Sequence, residues 1–292
     1  MSFISYLVNG ISLGGIYALI ALGYTMVYGI AKMLNFAHGD VIMVGGFTVF
    51  MTMQMGGVSP AVAVLSAIVV CTLLGVTIEK VAYKPLRSAP PLAVLITAIG
   101  VSYLLQNGAL LLWGADTKTF TPIVSGTLSL ADGRLNISYV SLLAVACCLV
   151  VMVCLTLFTS RTRMGKAMRA CSEDKDAARL MGINVNSTIS MTFAIGSALA
   201  AVAGVLMCSA YPVLSPTTGS LPGIRAFTAA VFGGIGSIPG AFLGGILLGI
   251  IETFAKAYIS TDLSDAVVFA VLIIVLLVKP AGLLGRYVPE KV

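Results

Sequence analysis

The chain has 292 residues, of which 59% are hydrophobic and only 10% are charged, and its formal net charge is +6. Soluble globular proteins carry roughly 25% charged residues, so this composition excludes a water-soluble enzyme and a disordered chain. It also argues against a nucleic-acid-binding protein, because the basic residues lie mostly between apolar runs, where they report orientation in a membrane. The composition predicts an all-α, polytopic membrane protein.

Apolar stretches of about 20 residues, the length that crosses a bilayer as a helix, follow one another along the chain. The first begins close to the N-terminus, and we interpret it as a retained span because no positively charged segment precedes it. The sequence predicts about seven to eight transmembrane helices, with seven crossings as the working topology, plus a Gly/Pro-broken re-entrant segment. The seven lie near residues 6–29, 33–56, 60–82, 92–113, 138–159, 189–211 and 263–280.

The glycine-rich run over 225–254 is longer than one crossing requires and contains the motif Gly-Gly-Ile-Gly-Ser-Ile-Pro-Gly at 233–240. Irregular backbone is stable at membrane depth only where protein or a water-filled cavity satisfies its polar groups. We therefore expect a re-entrant hairpin that enters and leaves on one side and lines a pathway through Gly233, Gly236, Pro239 and Gly240. The alternative is close helix packing through glycines at helical spacing, namely Gly236, Gly240 and Gly244, with Gly245 and Gly249 offset by one.

A polar cluster begins the second predicted span. The segment Asn35-Phe36-Ala37-His38-Gly39-Asp40 brings an amide, an imidazole and a carboxylate together. Ionisable groups at membrane depth cost about 2.5–3.5 kcal/mol and are usually functional or paired. The candidate pathway residues here are Asn35, Phe36, His38 and Gly39. The alternatives are that the polar side chains cap the helix, or that the histidine is a structural residue.

Most charged residues lie between the apolar runs. Basic residues concentrate in the loop at 83–91, the loop at 160–188 and the C-terminal tail, whereas the loop at 114–137 is balanced in charge. The positive-inside rule places the three basic regions in the cytoplasm, with the N-terminus outside and the C-terminus inside. Within the glycine-rich run, Glu252 and Lys256 have the i, i+4 spacing at which opposite charges on a helix neutralise each other.

The sequence of the loop over 164–186 predicts a helix, a break and a second short helix. Ser172 is a good N-cap, three acidic side chains follow it closely, and Gly182 is a natural stop after the last turn. The pattern predicts a surface helix over 173–181 with alanine, leucine and methionine side chains on its apolar face. A helix of this length is unstable alone, so a partner protein or the rest of the chain must hold it.

Several stretches of the sequence resemble one family of membrane proteins. They are GISLGGIYALIALGYTMVYGIAKMLNFAHGD, EKVAYKPLRS, TAIGVSYLLQN, SRTRMGKAMRACSEDKDAARLMGIN, IRAFTAAVFGGIGSIPGAFLGGILLGIIE and LLVKPAGLLGR, spread from residue 10 to residue 286. With these motifs, of which NFAHG and GGIGSIPGA are the most specific, the chain resembles the membrane-spanning subunit of the high-affinity branched-chain amino acid importers, which are ATP-binding-cassette transporters. The resemblance implies a single transmembrane permease domain over residues 1–292, with a cytoplasmic coupling loop at about 160–188.

In that family the short loop helix is a coupling helix, which docks in a groove on an ATPase subunit. The resemblance therefore implies that the coupling residues are Arg169, Glu173, Asp174, Ala177, Ala178, Leu180 and Gly182. The sequence departs from the family's Glu-Ala-Ala pattern, because the two alanines lie four residues after the glutamate. A short amphipathic helix can transmit closure of an ATPase pair to the membrane spans. The alternative is a solvated loop with a charged face.

The resemblance also implies a substrate, partners and a location. It implies import of leucine, isoleucine, valine and other apolar amino acids across the inner membrane of a bacterium. The implied partners are two ATPase subunits, a second related permease subunit, a periplasmic substrate-binding protein and membrane lipid. Because the chain lacks the Gly-x-x-x-x-Gly-Lys-Ser/Thr phosphate loop, ATP and Mg²⁺ are expected on the ATPase subunits, with no cofactor, metal or catalytic residue on this chain.

Other interpretations stay open beside this one. Within the same fold, the permeases of urea and short-chain amide importers look similar, although NFAHGD and AYKPLRS favour the amino-acid branch. A passive channel or an ion-coupled carrier is a different class, and the predicted spans 92–113, 138–159 and 189–211 contain no Asp, Glu, Lys or Arg to bind a coupling ion. An intramembrane enzyme is disfavoured, since the chain has a single His and no nucleophile–base arrangement at useful spacing.

Overall fold

The computed structural model describes residues 2–87, 89–124, 126–130 and 135–285. Parts of the predicted charge-balanced loop, including Arg134, and of the basic tail, including Arg286 and Lys291, lie outside these ranges. The described helices are α1 (Ser2–Ala31), α2 (His38–Gln54), α3 (Pro60–Ile78), α4 (Pro91–Trp113), α5 (Tyr139–Arg161), α6 (Arg163–Glu173), α7 (Lys175–Leu180), α8 (Val185–Ala210), α9 (Ser220–Gly233), α10 (Ile238–Tyr258) and α11 (Ser264–Val278). Two antiparallel pairs join strands β1 (Lys118–Thr119) to β4 (Val213–Leu214) and β2 (Thr127–Leu130) to β3 (Leu135–Ser138).

The structure confirms an all-α, polytopic membrane protein. Within the described part of the chain, six helices are long and apolar enough to cross a bilayer, namely α1, α3, α4, α5, α8 and α10. Five of them match the predicted spans, and the sixth, α10, is the second half of the glycine-rich run. The spans expected at 33–56 and 263–280 are shorter than predicted, because α2 has 17 residues and α11 has 15.

The second helix begins five residues later than the predicted start at residue 33. Lys32 ends α1 in the left-handed region, with φ of 56°, where an L-residue cannot continue a right-handed helix. The following residues up to Ala37 form a non-helical connection. The third span, by contrast, runs on beyond its predicted end, because a π-helical segment (Glu79–Tyr83) and a 3₁₀ turn (Lys84–Leu86) continue α3.

The chain divides into two compact units, each built from separate stretches. Unit 1 comprises residues 1–25, 124–153 and 225–292, and unit 2 comprises residues 26–123 and 154–224. Because α1, α5 and α9 each contain a boundary between these stretches, the units share helices. The prediction of a single domain stays a prediction.

The core of unit 2 is formed by α2, α3 and α8, which pack closely through small residues. A Cβ added at Gly75 of α3 would lie 1.9 Å from the hydroxyl oxygen of Ser197 on α8. A Cβ added at Gly204 of α8 would lie 2.5 Å from the carbonyl oxygen of Ile42 on α2. Small residues let membrane helices approach to backbone contact, so α2, α3 and α8 pack tightly in this three-helix core.

In unit 1, α10 packs against the first part of α1 by backbone contact. A Cβ at Gly249 would lie 2.3 Å from the Cα of Gly14, and a Cβ at Gly245 would lie 2.3 Å from the Cα of Ala18. The packing explanation of the offset glycines is therefore confirmed for Gly245 and Gly249. The in-register stripe is not continuous, because Gly236 lies in a turn rather than on a helix.

The glycine-rich run folds as a hairpin with limbs of unequal length. The first limb, α9, has 14 residues and the second, α10, has 21, so the second limb is long enough to cross a membrane by itself. Two backbone hydrogen bonds join the end of α9, just before the turn, to the residues after α11. The Leu283 N–H donates to Phe232 O at 3.0 Å, and the Leu284 N–H donates to Gly233 O at 2.8 Å. Within unit 1, the turn of the hairpin therefore lies next to the segment that follows α11.

Candidate functional site

The connection between α1 and α2, in unit 2, contains the first group of predicted pathway residues. Asn35 and His38 are buried, Phe36 is half-buried, and Gly39 is buried in the first turn of α2. The Tyr83 hydroxyl donates to Asn35 Oδ1 at 3.0 Å. The buried amide of this irregular connection is thus stabilised by a hydrogen bond from within the protein.

A buried carboxylate follows directly. Gln106 of α4 donates from Nε2 to Asp40 Oδ1 at 2.9 Å and also lies 3.1 Å from the hydroxyls of Ser102 and Ser220. Asp40 itself is 1% exposed. Polar groups buried in hydrocarbon are costly unless hydrogen-bonded, so this amide–carboxylate–hydroxyl cluster fixes the start of α2 against α4 and the first residue of α9.

The N-cap position of α2 is occupied by Ala37, which makes no side-chain capping hydrogen bond. Gly39 has a packing reason of its own, since a Cβ at this position would lie 2.5 Å from the carbonyl oxygen of Gly219. Asn35 and Asp40 bind partners that are distant in sequence, on the π-helical segment after α3 and on α4.

The second group of predicted pathway residues forms the hairpin turn in unit 1. Gly234 and Gly236 have φ of 110° and 93°, a region that favours glycine. Ser237 caps α10 by accepting the Gly240 N–H at 3.2 Å, and Pro239 lies in the first turn, where its missing N–H is tolerated. The predicted break is confirmed.

Packing accounts for the two other glycines of this turn. A Cβ at Gly233 would lie 1.9 Å from the carbonyl oxygen of Gly240, and a Cβ at Gly240 would lie 2.5 Å from that of Gly233. The ends of α9 and α10 therefore meet backbone to backbone. Whether Gly233, Gly236, Pro239 and Gly240 line a pathway stays a prediction.

The predicted Glu252–Lys256 pair is confirmed, and unit 1 adds an arginine to it. Lys256 Nζ lies 2.6 Å from Glu252 Oε1, and Arg225 Nη1 lies 3.0 Å from the same oxygen. Arg225 also lies 2.6 Å from Asp265 Oδ1 and donates to the Tyr17 hydroxyl at 3.0 Å. Glu252 is fully buried, so its charge depends on these cations.

The predicted coupling loop, in unit 2, has the expected order of helix, break and short helix. The break falls at Asp174, whose carboxylate accepts the N–H groups of Asp176 and Ala177 at 2.8 and 3.0 Å. The predicted N-cap was wrong, because the Ser172 hydroxyl donates within α6 to the Arg169 carbonyl oxygen. The short helix is therefore Lys175–Leu180 rather than 173–181.

The predicted end of the short helix is confirmed. Gly182 has φ of 79°, its N–H donates to Arg179 O at 2.9 Å, and the Ile183 N–H donates to Ala178 O at 3.0 Å. These two bonds form a Schellman motif, which satisfies the last carbonyl groups of a helix. After this turn the chain enters α8, which begins at Val185.

The rest of the chain holds one face of α7 and leaves the other exposed. Ala178 is buried, and Lys175 Nζ donates to the carbonyl oxygen of Ala31 at 2.8 Å. Leu180 and Met181, by contrast, are 89% and 82% exposed. Two adjacent apolar side chains at the end of α7 are therefore left uncovered by the described residues.

The structure separates the predicted coupling residues by role. Arg169 donates from Nη2 to the Ser160 carbonyl oxygen at 3.0 Å, so it fastens α6 to the end of α5. Glu173 is exposed in the last turn of α6, and Ala177 is exposed on α7. Asp174 and Gly182 are the two caps, which leaves Leu180 as the predicted residue with the largest exposed apolar surface.

Sequence reasoning missed the residues that partner the predicted ones. Tyr83, Gln106 and Arg225 reach their partners across long stretches of chain. Of these three residues, Gln106 could have been singled out from the sequence, because a primary amide within an apolar span needs a hydrogen-bonding partner. In the described ranges no group of three or more His, Cys, Asp and Glu residues has the arrangement of a metal site.

Comparison with known proteins places these features in a family. Residues 6–276 match the family model described as the branched-chain amino acid transport system permease component. The chain is 47% identical to the high-affinity branched-chain amino acid transport system permease protein BraD of Pseudomonas aeruginosa and 46% identical to LivH of Escherichia coli K12, each over 99% of this chain and 98% of the relative. It is 28% identical to a probable branched-chain amino acid transport permease protein LivH of Methanocaldococcus jannaschii, over 91% of this chain and 88% of that one.

The family match extends from the first turns of α1 to the last turn of α11. It therefore includes the buried polar connection before α2, the exposed tip of α7 and the glycine-rich hairpin. A match of this length, together with nearly full-length relatives at 46–47% identity, identifies more than a shared fold. The chain is a multi-pass membrane protein that belongs to the family of branched-chain amino acid transport system permease components.

Proposed function

We propose that this permease subunit translocates leucine, isoleucine and valine, and accepts other apolar amino acids, as part of an importer energised by separate ATPase subunits. The observation that carries the proposal is the nearly full-length identity of 46–47% to permeases named for high-affinity branched-chain amino acid transport. Specificity is assigned to a separate binding protein, because a pocket distinguishes one methylene by only about 1–3 kcal/mol.

The proposed assembly contains two ATPase subunits, a second related permease subunit and a periplasmic substrate-binding protein, in the inner membrane of a bacterium. This chain is proposed to be non-catalytic, with ATP and Mg²⁺ held by the ATPase subunits. The exposed apolar tip formed by Leu180 and Met181 supports an ATPase contact at α7. The basic loop at 160–188 and the C-terminal tail are proposed to lie in the cytoplasm and the N-terminus outside, because basic residues concentrate on the cytoplasmic side of a membrane protein.

Uptake of labelled leucine tests the proposal in cells that carry the complete system. When the phosphate-loop lysine of the partner ATPase is replaced, uptake should fall to the background of cells without the permease. The control is the same ATPase with its lysine intact at equal permease abundance. Uptake that persists without the lysine would reject an ATP-driven importer in favour of a channel or an ion-coupled carrier. Uptake of urea or a short-chain amide in place of leucine would reject the proposed substrate.

We propose two groups of substrate-pathway residues. The connection before α2, in unit 2, contributes Asn35, Phe36, His38 and Gly39, and the hairpin turn, in unit 1, contributes Gly233, Gly236, Pro239 and Gly240. Broken helices in membranes expose amide and carbonyl groups that can bind the carboxylate and ammonium groups of a substrate. Half-buried Phe36 supports the first assignment, since it follows the buried Asn35 amide.

Thiol labelling of Phe36→Cys, in a background with exposed Cys154 replaced by serine, tests the pathway assignment. A small charged thiol reagent should react at position 36, and the reaction should be about tenfold slower at leucine ten times above the half-saturating concentration, because bound substrate shields the site. Leu104→Cys is the control, because this exposed residue of α4 is expected to face lipid and to stay unlabelled. Labelling at position 36 that leucine does not slow would contradict the assignment.

A further inference from the structure

A cavity of about 360 Å³ lies in unit 2, where the end of α1, the segment after α3 and the first turns of α4 meet the start of α7. Three cationic side chains contribute to its wall, namely Lys32, Arg87 and Lys175. The remaining wall is mostly apolar and includes Leu34, Leu86, Val94 and Leu95. The cavity therefore has a positively charged part and a hydrocarbon part.

The positive charge of the cavity is only partly neutralised from within the protein. Arg87 forms an ion pair with buried Glu79 and donates a hydrogen bond to Asn186. For Lys32 and Lys175, the described residues supply no carboxylate at ion-pair distance. Two cations thus remain available to a negatively charged ligand.

The environment of Lys175 indicates that such a ligand would be favourable. Its partial burial, together with the positive charges of Arg87 and Lys32, lowers the pKa of the Lys175 ammonium group from its ordinary value. The carbonyl oxygen of Ala31 holds Nζ at 2.8 Å but provides only a partial charge. An anion in the cavity would remove the repulsion between these cations.

We propose that this cavity binds the phosphate headgroup of an anionic phospholipid, with the cations around the phosphate and the start of an acyl chain along Val94 and Leu95. A lipid fits better than a free phosphate ion because most of the residues that line the cavity are apolar. On the same helix, Leu92 and Ile96 are 64% and 61% exposed, as expected for a face in contact with hydrocarbon. Basic pockets at a membrane interface are known to favour anionic headgroups.

A lipid in this position would connect α1, α4 and α7. Lys175 is the first residue of α7, the helix that carries the exposed apolar tip. Occupancy of the cavity would therefore hold the coupling helix in place against the end of α1. The inference rests on the membrane location of the chain and not on which substrate it transports, so binding can be measured without transport.

Native mass spectrometry of the purified transporter complex, released from nanodiscs of mixed phosphatidylglycerol and phosphatidylcholine, tests the proposal. The variant is Lys32→Asn, because asparagine tolerates the left-handed backbone at position 32 and removes the charge. Phosphatidylglycerol should be retained by the wild type and bound about fivefold more weakly by the variant. Lys84→Asn is the matched control, since Lys84 is an exposed cation nearby that is absent from the cavity wall.

Each outcome decides for or against the site. A loss of retention in Lys32→Asn and in a second variant, Lys175→Gln, with unchanged thermal unfolding and normal retention in Lys84→Asn, supports it. Equal retention of phosphatidylcholine, or retention unchanged in both variants, overturns it. Binding of inorganic phosphate to the wild type, weakened in Lys32→Asn and without retained phosphatidylglycerol, would show that a free anion, and not a headgroup, is the ligand.

Discussion

Replacing Leu180 with asparagine is expected to weaken association with the ATPase subunit about thirtyfold, with a matching loss of coupled uptake. The side chain is 89% exposed at the tip of α7, so the permease itself should fold as before. An apolar side chain that becomes fully buried at the centre of an interface typically contributes about 2 kcal/mol or more to binding, which corresponds to the thirtyfold change. The measurement is titration of the purified ATPase onto detergent-solubilised permease.

The control for this variant is Met55→Asn, which makes the same kind of change at another exposed apolar side chain, after α2. ATPase affinity should be unchanged there, because residue 55 lies in a loop outside the proposed coupling segment. Wild-type affinity of the Leu180→Asn permease would contradict the assignment of α7 as the coupling helix. It would instead favour the solvated-loop interpretation of this segment.

Replacing Arg225 with methionine should lower the free energy of unfolding by about 3–5 kcal/mol, the cost typical of removing one partner of a buried ion pair. Glu252 is fully buried, and Arg225 lies 3.0 Å from its carboxylate and 2.6 Å from that of Asp265. Without the guanidinium group, Glu252 would keep only Lys256 as a cationic partner, and Asp265 would lose its partner at ion-pair distance. Thermal unfolding of the purified protein, followed by the exposure of its buried cysteines, measures the effect.

Two further variants separate the ion pair from a general packing defect. Lys256→Met should cost much less, because Lys256 is 37% exposed and is screened by its surroundings. The double variant Arg225→Met/Glu252→Gln should lose less unfolding free energy than the two single variants lose together, because it no longer contains the buried carboxylate that Arg225 neutralises. An unfolding temperature of Arg225→Met equal to that of the wild type would contradict this account of unit 1.

Hydropathy predicted most of the spans because every crossing needs a long apolar stretch, whatever its neighbours are. The same reasoning failed over residues 33–37, where the chain is largely apolar and buried or half-buried but not helical. Burial in protein satisfies irregular backbone as well as a helix does, and hydropathy reads both as one run. The glycine-rich hairpin was predictable because its turn and proline lie within a few residues of one another.

Contacts close in sequence were predictable, whereas contacts between distant helices were not. Glu252 and Lys256 are one helical turn apart, so their spacing alone indicated a pair, while Arg225 joins them from α9. The N-cap of α7 was predicted wrongly because two neighbouring residues are both suited to that position. Ser172 and Asp174 are both good caps, and the aspartate prevails because its carboxylate accepts two N–H groups while the serine hydroxyl is used within α6.

The pairing of Leu283 and Leu284 with the end of α9 has a consequence for biosynthesis. The carbonyl groups of Phe232 and Gly233 acquire these donors only after the whole of α10 and α11 has left the ribosome. Until then the hairpin turn must be hydrated or held by other proteins, because unsatisfied carbonyl groups are unfavourable in hydrocarbon. The completed form of unit 1 is therefore a late event in membrane insertion, reached when the segment after α11 closes over the turn.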